Sequence, residues 1–213
     1  MVSIICGVGI NDSTTKNRQY ARNLSDGKWR LIWQCPFYKT WQCMMQRCYS
    51  KNSLSKAPHY LGCSVSEEWL TFSNFKSWMK EQDYLGKALD KDLLVYGNKV
   101  YSRDTSIFVS QEVNSFMIEM HSKKSNLPIG VVKKNDGFGK PRYGAKISTG
   151  GYSSRTLGVF HTDKEAFECW LKEKRRLAGI LADKQSDPKV AEALVRRYQN
   201  YVDKFTGYSL PPD

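Results

Sequence analysis

Leu89-Asp90-Lys91-Asp92-Leu93-Leu94 opens the stretch on which the reading of this chain turns. Tyr96-Gly97-Asn98-Lys99-Val100-Tyr101-Ser102 and Ile107-Phe108-Val109-Ser110 follow, and the stretch closes at Asn114. Short apolar runs flank a Gly97-Asn98 turn signal, and Ser110 precedes a segment with helical character. The order predicts a short strand, a turn, an extended loop, a second strand and the start of a helix.

Composition bounds the partners. The 213 residues suffice for one large domain or two small ones with a real core. A hydrophobic content of 40%, with 13% aromatic residues, argues against disorder. The net charge of +12 points to a polyanion, nucleic acid before membrane. No apolar run approaches the length of a membrane span, and Met1-Val2-Ser3-Ile4-Ile5-Cys6-Gly7 is too short for a signal peptide. A cytoplasmic protein is the expectation. The six cysteines form no Cys-x-x-Cys pair, and Cys35, Cys43, Cys48 and Cys63 are the one quartet a structural zinc could use. Their spacings fit no zinc ribbon or finger, so reduced, mostly buried thiols are expected.

Upstream of the opening stretch, Trp29, Leu31 and Trp33 alternate with Arg30 and Ile32, which predicts one half-buried strand. Gly7-x-Gly9 lacks the third glycine and the helix that a phosphate-binding loop needs. Trp41, Met44, Met45 and Cys48 recur at helical spacing, predicting a helix over residues 37–49 in which Arg47 snorkels to the surface or to a phosphate. Residues 50–62 are loop by composition. A second helix is expected over 67–82, carrying Trp69, Phe72, Phe75, Trp78 and Met79 mainly as core.

Tyr38-x-x-Trp41-x-x-Met44-x-x-Arg47-Cys48-Tyr49, then Tyr60-x-Gly62-Cys63-x-Val65-x-x-x-Trp69-x-x-Phe72-x-x-Phe75-x-x-Trp78, then Leu89-Asp90-Lys91-Asp92 form an ordered series. Over residues 7–118 it resembles bacteriophage HNH-type endonucleases. The resemblance implies a ββα-metal core, a helical N-terminal region packed on it, and a divalent cation, magnesium or manganese. Asp90 and Asn114, 24 positions apart, are the implied ligands, and Asp92, two residues from Asp90 along a strand, could add a third. The family places a general-base histidine directly after the first acidic residue; this chain has Lys91 there. Lys91 is thus the implied third catalytic position beside Asp90 and Asn114, serving as base or as a charge stabiliser.

After Asn114 the helix is expected to continue through Phe116, Met117, Met120 and His121, with a domain boundary at 122–127. Residues 127–180 read as three strands and a helix. Gly130-Val131-Val132-Lys133-Lys134 comes first, a turn follows at Asn135–Gly139, and Arg142-Tyr143-Gly144-Ala145-Lys146-Ile147 is second. Gly150-Gly151 leads to Ser154–Phe160, and Thr162 with Glu165 forms a capping box. A last helix is expected over 187–206. Gly130-Val131, Tyr143-x-Ala145-x-Ile147 and Leu157-Gly158-x-Phe160-x-Thr162-x-x-x-Ala166 are similar to the integrase-type DNA-binding domain shared with ethylene-response factors. By that similarity the open sheet face meets duplex DNA through Lys133, Lys134, Arg142, Lys146 and Arg155.

Residues 122–177 carry thirteen Lys or Arg against five Asp or Glu, which agrees with a DNA partner. Lys172, Lys174, Arg175 and Arg176 are expected to meet backbone phosphate or water. The expected architecture is therefore α+β, with an HNH-like domain over 1–122, a three-stranded antiparallel sheet with one helix, and a C-terminal helix. Two functions follow: metal-dependent nicking or cleavage of DNA, or a catalytically silent binder that acts on a host DNA-associated or transcription target.

Overall fold

The structure, a computed structural model, describes residues 2–118, 126–135, 140–150 and 153–212, with the backbone alone at 149 and 150. It is α+β and divides into two units, Met1–Phe108 and Val109–Asp213.

The first unit begins with two antiparallel hairpins. β1 (Ser3–Ile5) pairs with β2 (Gly9–Asn11), and β3 (Arg18–Arg22) pairs with β4 (Trp29–Gln34). Gly9 of β2 packs closely on Trp41 and Met45: a Cβ there would lie 2.8 Å from Met45 Cε and 3.1 Å from the Trp41 ring. α1 (Pro36–Tyr49) starts on a proline, whose fixed φ suits a first helical turn. Ser50 ends α1 and caps α2 (Lys51–Lys56) by accepting from the Ser53 amide. A single 3-10 turn at Pro58–Tyr60 follows, so the expected loop over 50–62 is largely helical.

β5 (Ser64–Val65) leads to α3 (Glu67–Leu70) and α4 (Phe72–Lys80). The one helix expected over 67–82 is interrupted because Thr71 is extended and bridges Ile10 of β2. β6 (Ala88–Asp90) pairs with β8 (Ile107–Val109), and between them β7 (Val100–Tyr101) runs parallel to β5. Trp41, Trp69, Phe72 and Phe75 are buried in one core, and Trp41 Nε1 donates to the Trp69 carbonyl at 2.7 Å. Trp78 stacks on Phe108 with ring centroids 5.7 Å apart. The aromatic stripes of α1 and α4 are therefore core. β4 departs from its expected half-burial: five of its six residues are exposed, so among the described residues neither face of this strand is covered.

In the second unit, α5 (Gln111–Phe116) is capped by Ser110, whose hydroxyl accepts from the Val113 amide. It stops at Phe116. The expected continuation to Met120 and His121 reaches residues 119–125, which lie outside the described residues. β9 (Val131–Asn135), β10 (Pro141–Gly150) and β11 (Ser153–Phe160) form an antiparallel sheet in the order β11-β10-β9. The turns expected at 135–139 and 150–151 fall mostly outside the described residues. α6 (Asp163–Ala182) opens on a complete capping box of Thr162 and Glu165 and buries Ala166, Phe167, Trp170 and Leu171. α7 (Pro188–Gln199) ends seven residues before the expected limit at 206, because the chain turns back and Val202 bridges Ser209. α5 belongs with this unit: Phe116 meets Tyr198 edge-on at 5.3 Å, and Lys174 Nζ donates to the Phe116 carbonyl at 2.7 Å.

Candidate nucleic-acid interface

The sheet register sorts side chains onto two faces, since directly opposed residues share a side and neighbours along a strand alternate. Tyr143 opposes Lys133 and Phe160, and Ala145 opposes Val131 and Gly158. Ala145 and Ile147 are buried, and Gly130 lies against Trp170 of α6, so this is the helix-covered face. The opposite face carries Gly144 with Val132 and Val159, Arg142 with Lys134, and Lys146 with Thr156. A Cβ on Gly144 would meet the Lys134 side chain at 3.1 Å and Val132 at 3.2 Å, so Lys134 lies flat across this open face.

Three of the five residues implied by sequence come together there: Lys134, Arg142 and Lys146. Arg142 hydrogen-bonds the His161 ring, a neighbour that the sequence patterning did not single out. The side chains of Lys134 and Lys146 carry no hydrogen bond or ion pair among the described residues, and every open-face strand position named above is neutral or basic. Arg155 and Lys133 fall elsewhere. Arg155 opposes Ile147 on the helix side and is held by Glu173 of α6 at 2.8 Å. On a regular strand Arg155, three residues from Gly158, would face the other way. The register shift between Ala145 and Lys146 adds one residue to β11 and reverses it. Lys133 shares the side of Tyr143 at the exposed end of β9.

The basic run of α6 separates in the same manner. Lys174 and Arg175 are buried, contrary to the expectation that they meet phosphate or water. Lys174 Nζ sits 3.9 Å from the Phe116 ring centroid and bonds that residue's carbonyl. Arg175 donates to the carbonyls of Tyr198, Gln199, Leu210 and Pro211 at 2.7–3.1 Å. Burial of these charges is tolerable because carbonyl oxygens replace water around them. Arg176 pairs with Glu173, leaving Lys172 as the residue of the run nearest to the expected role.

The turn after β6 is built on Asp90, Lys91 and Asp92. Asp90 Oδ1 accepts from the amides of Asp92 and Leu93 at 2.9 and 2.7 Å, closing the turn. Lys91 is buried; its Nζ donates to Asn98 O at 3.0 Å, lies 3.3 Å from Asp92 Oδ2 and sits over the Tyr101 ring. Asn98 completes the lock by donating to the Lys91 and Val100 carbonyls at 2.7 Å. Asn114 lies in α5 of the second unit. A divalent cation on Asp92 would share that carboxylate with a buried ammonium, and like charges a few ångströms apart repel strongly outside bulk water. Among the described residues no three His, Cys, Asp or Glu side chains gather at one point. The ammonium of Lys91 therefore disfavours a divalent cation on the Asp92 carboxylate.

Neighbouring groups are equally committed. Arg47, expected to snorkel outward, lies over the Tyr60 ring at 5.6 Å. Burial pushes the Cys48 thiol up to about 12, helped by nearby Cys63, so it stays protonated within the core. Comparison with family models, curated proteins and solved structures gave no match.

Proposed function

We propose that this protein binds double-stranded DNA through the open face of the β9–β10–β11 sheet and that the Asp90–Asp92 turn is a structural lock. The observation that carries the reading is the convergence of Lys134, Arg142 and Lys146 on the sheet face opposite α6. A guanidinium there can reach guanine edges in two-bonded geometry, while the two ammonium groups neutralise flanking phosphates. The integrase-type sequence similarity implies the same face, which adds support. The lock reading rests on Lys91, whose buried Nζ is held by Asn98 and Asp92 within the turn.

The test is fluorescence anisotropy on a labelled duplex with wild type and a Lys134→Ala/Arg142→Ala/Lys146→Ala variant. The variant should lose on the order of 100-fold in affinity, and Lys133→Ala should change it by less than about threefold. Equal binding by wild type and the triple variant would remove the sheet from the interface. Supercoiled plasmid incubated with magnesium or manganese should stay intact. Nicking by wild type that Asp90→Ala abolishes would replace the lock with a nuclease centre.

A further inference from the structure

We propose that the β3–β4 hairpin is a second DNA-binding element, a ribbon that enters the major groove; the inference rests on the duplex-binding reading. Two-stranded hairpins are marginal in water unless something covers them. This one presents Trp29 at 69%, Ile32 at 64% and Tyr20 at 51% exposure, with Leu24 wholly exposed at its tip. Soluble proteins seldom keep such an apolar ribbon without a partner.

The ribbon is nonetheless firmly built. Asn23 and Lys28 close its turn through an amide-to-carbonyl bond of 2.8 Å, and Arg22 Nε donates to the Gly27 carbonyl at 3.0 Å. Its base is fixed to α1: Arg18 and Gln34 both donate to Gln42 Oε1, and Arg18 stands over the Tyr38 ring. An ordered, mounted ribbon can dock without first paying to become ordered.

Charge complementarity selects the partner. Residues 16–34 hold five Lys or Arg against one Asp, and that Asp26 is already paired with Arg30 at 2.8 Å. The register places Arg22 opposite Trp29 and Tyr20 opposite Leu31 on one face, while Arg30 and Trp33 share the other. Cations thus alternate with rings on both sides, whereas a ribbon made to dock on protein or a second copy would concentrate apolar groups on one dry face. A polyanion with stacked rings suits this arrangement. Strands about 5 Å apart, with side chains, fit a major groove about 12 Å wide. Arg22 and Lys28 would meet phosphates along the groove walls, and Trp29 and Tyr20 would meet base edges and sugars.

The test uses the full chain and the labelled duplex. Tyr20→Ser/Trp29→Ser should weaken binding at least about fivefold, and Arg22→Ala/Lys28→Ala should lower the salt slope by about two. Circular dichroism should be unchanged in both, since all four residues are exposed and the Asn23–Lys28 backbone bond that closes the turn is retained when the Arg22 contact is lost. If both variants bind like wild type while the Lys134/Arg142/Lys146 variant fails, the ribbon proposal falls and the sheet reading stands. Failure of wild type to bind duplex overturns both. Unaltered DNA affinity with loss of self-association by light scattering, or of binding to anionic vesicles, would assign the ribbon to a second copy or a membrane surface and overturn it too.

Discussion

Gly130 is the residue on which the sheet and α6 agree most closely. Its φ of +74° disfavours any side chain, and an added Cβ would stand 2.2 Å from the Trp170 ring. Gly130→Ala is expected to cost about 2–4 kcal/mol, read as a shift of the denaturation midpoint. Asp203 gives a second prediction, with a pH signature. Burial alone would raise its pKa, but amides of Ile129, Thr206 and Phe205 and the Thr206 hydroxyl donate to the carboxylate and hold it below the usual range. A depressed pKa stabilises the fold fully above the unfolded value, about 3.9, and the contribution disappears as pH falls through the folded value. Asp203→Asn should therefore cost about 2–3 kcal/mol at neutral pH, and the gap to wild type should narrow below about pH 4 in urea titrations.

At the scale of elements, α6 shows what a linear pattern reveals and what it hides. The Thr162–Glu165 capping box is a spacing rule and was legible, as were the three strands before it. The inward direction of Arg175 was not legible: its partners are carbonyls 23 to 36 residues away, and one residue type serves both a phosphate and a carbonyl cage. The face taken by Arg155 was hidden for a related reason, since a bulge leaves no distinctive residue and reverses every side chain before it. The exposed β4 strand had alternation, which signals a strand but cannot say whether either face is covered. Likewise, the Asp90–Lys91–Asp92 triplet was visible as a landmark, while its internal hydrogen bonds depend on Asn98 across the turn. The fork of Arg175 supports an element-scale prediction. Arg175→Lys keeps the charge but cannot reach four carbonyls that close α7 and the tail, so it should cost about 2–3 kcal/mol. Hydrogen exchange should show faster opening over residues 198–211 before the rest of the second unit.

For the whole molecule, net charge sets how strongly any polyanion is attracted, whereas placement sets which one is recognised. The excess of +12 makes affinity for duplex DNA steeply dependent on salt, because each neutralised phosphate releases condensed cations. Charge already spent inside the fold contributes little to that dependence: Lys174 and Arg175 are buried, and Arg155, Arg176 and Arg30 are paired with carboxylates. The slope of log affinity against log salt should therefore report the unpaired surface cations, about 0.9 for each phosphate met. Titration of labelled duplex across a salt series should give a slope reduced by about two to three in the Lys134→Ala/Arg142→Ala/Lys146→Ala variant. Arg176→Ala, which deletes a cation held by Glu173, should leave the slope within about one unit of wild type. A uniform decrease for both substitutions would mean that attraction follows total charge, and the open sheet face would then have no special claim as the site of contact.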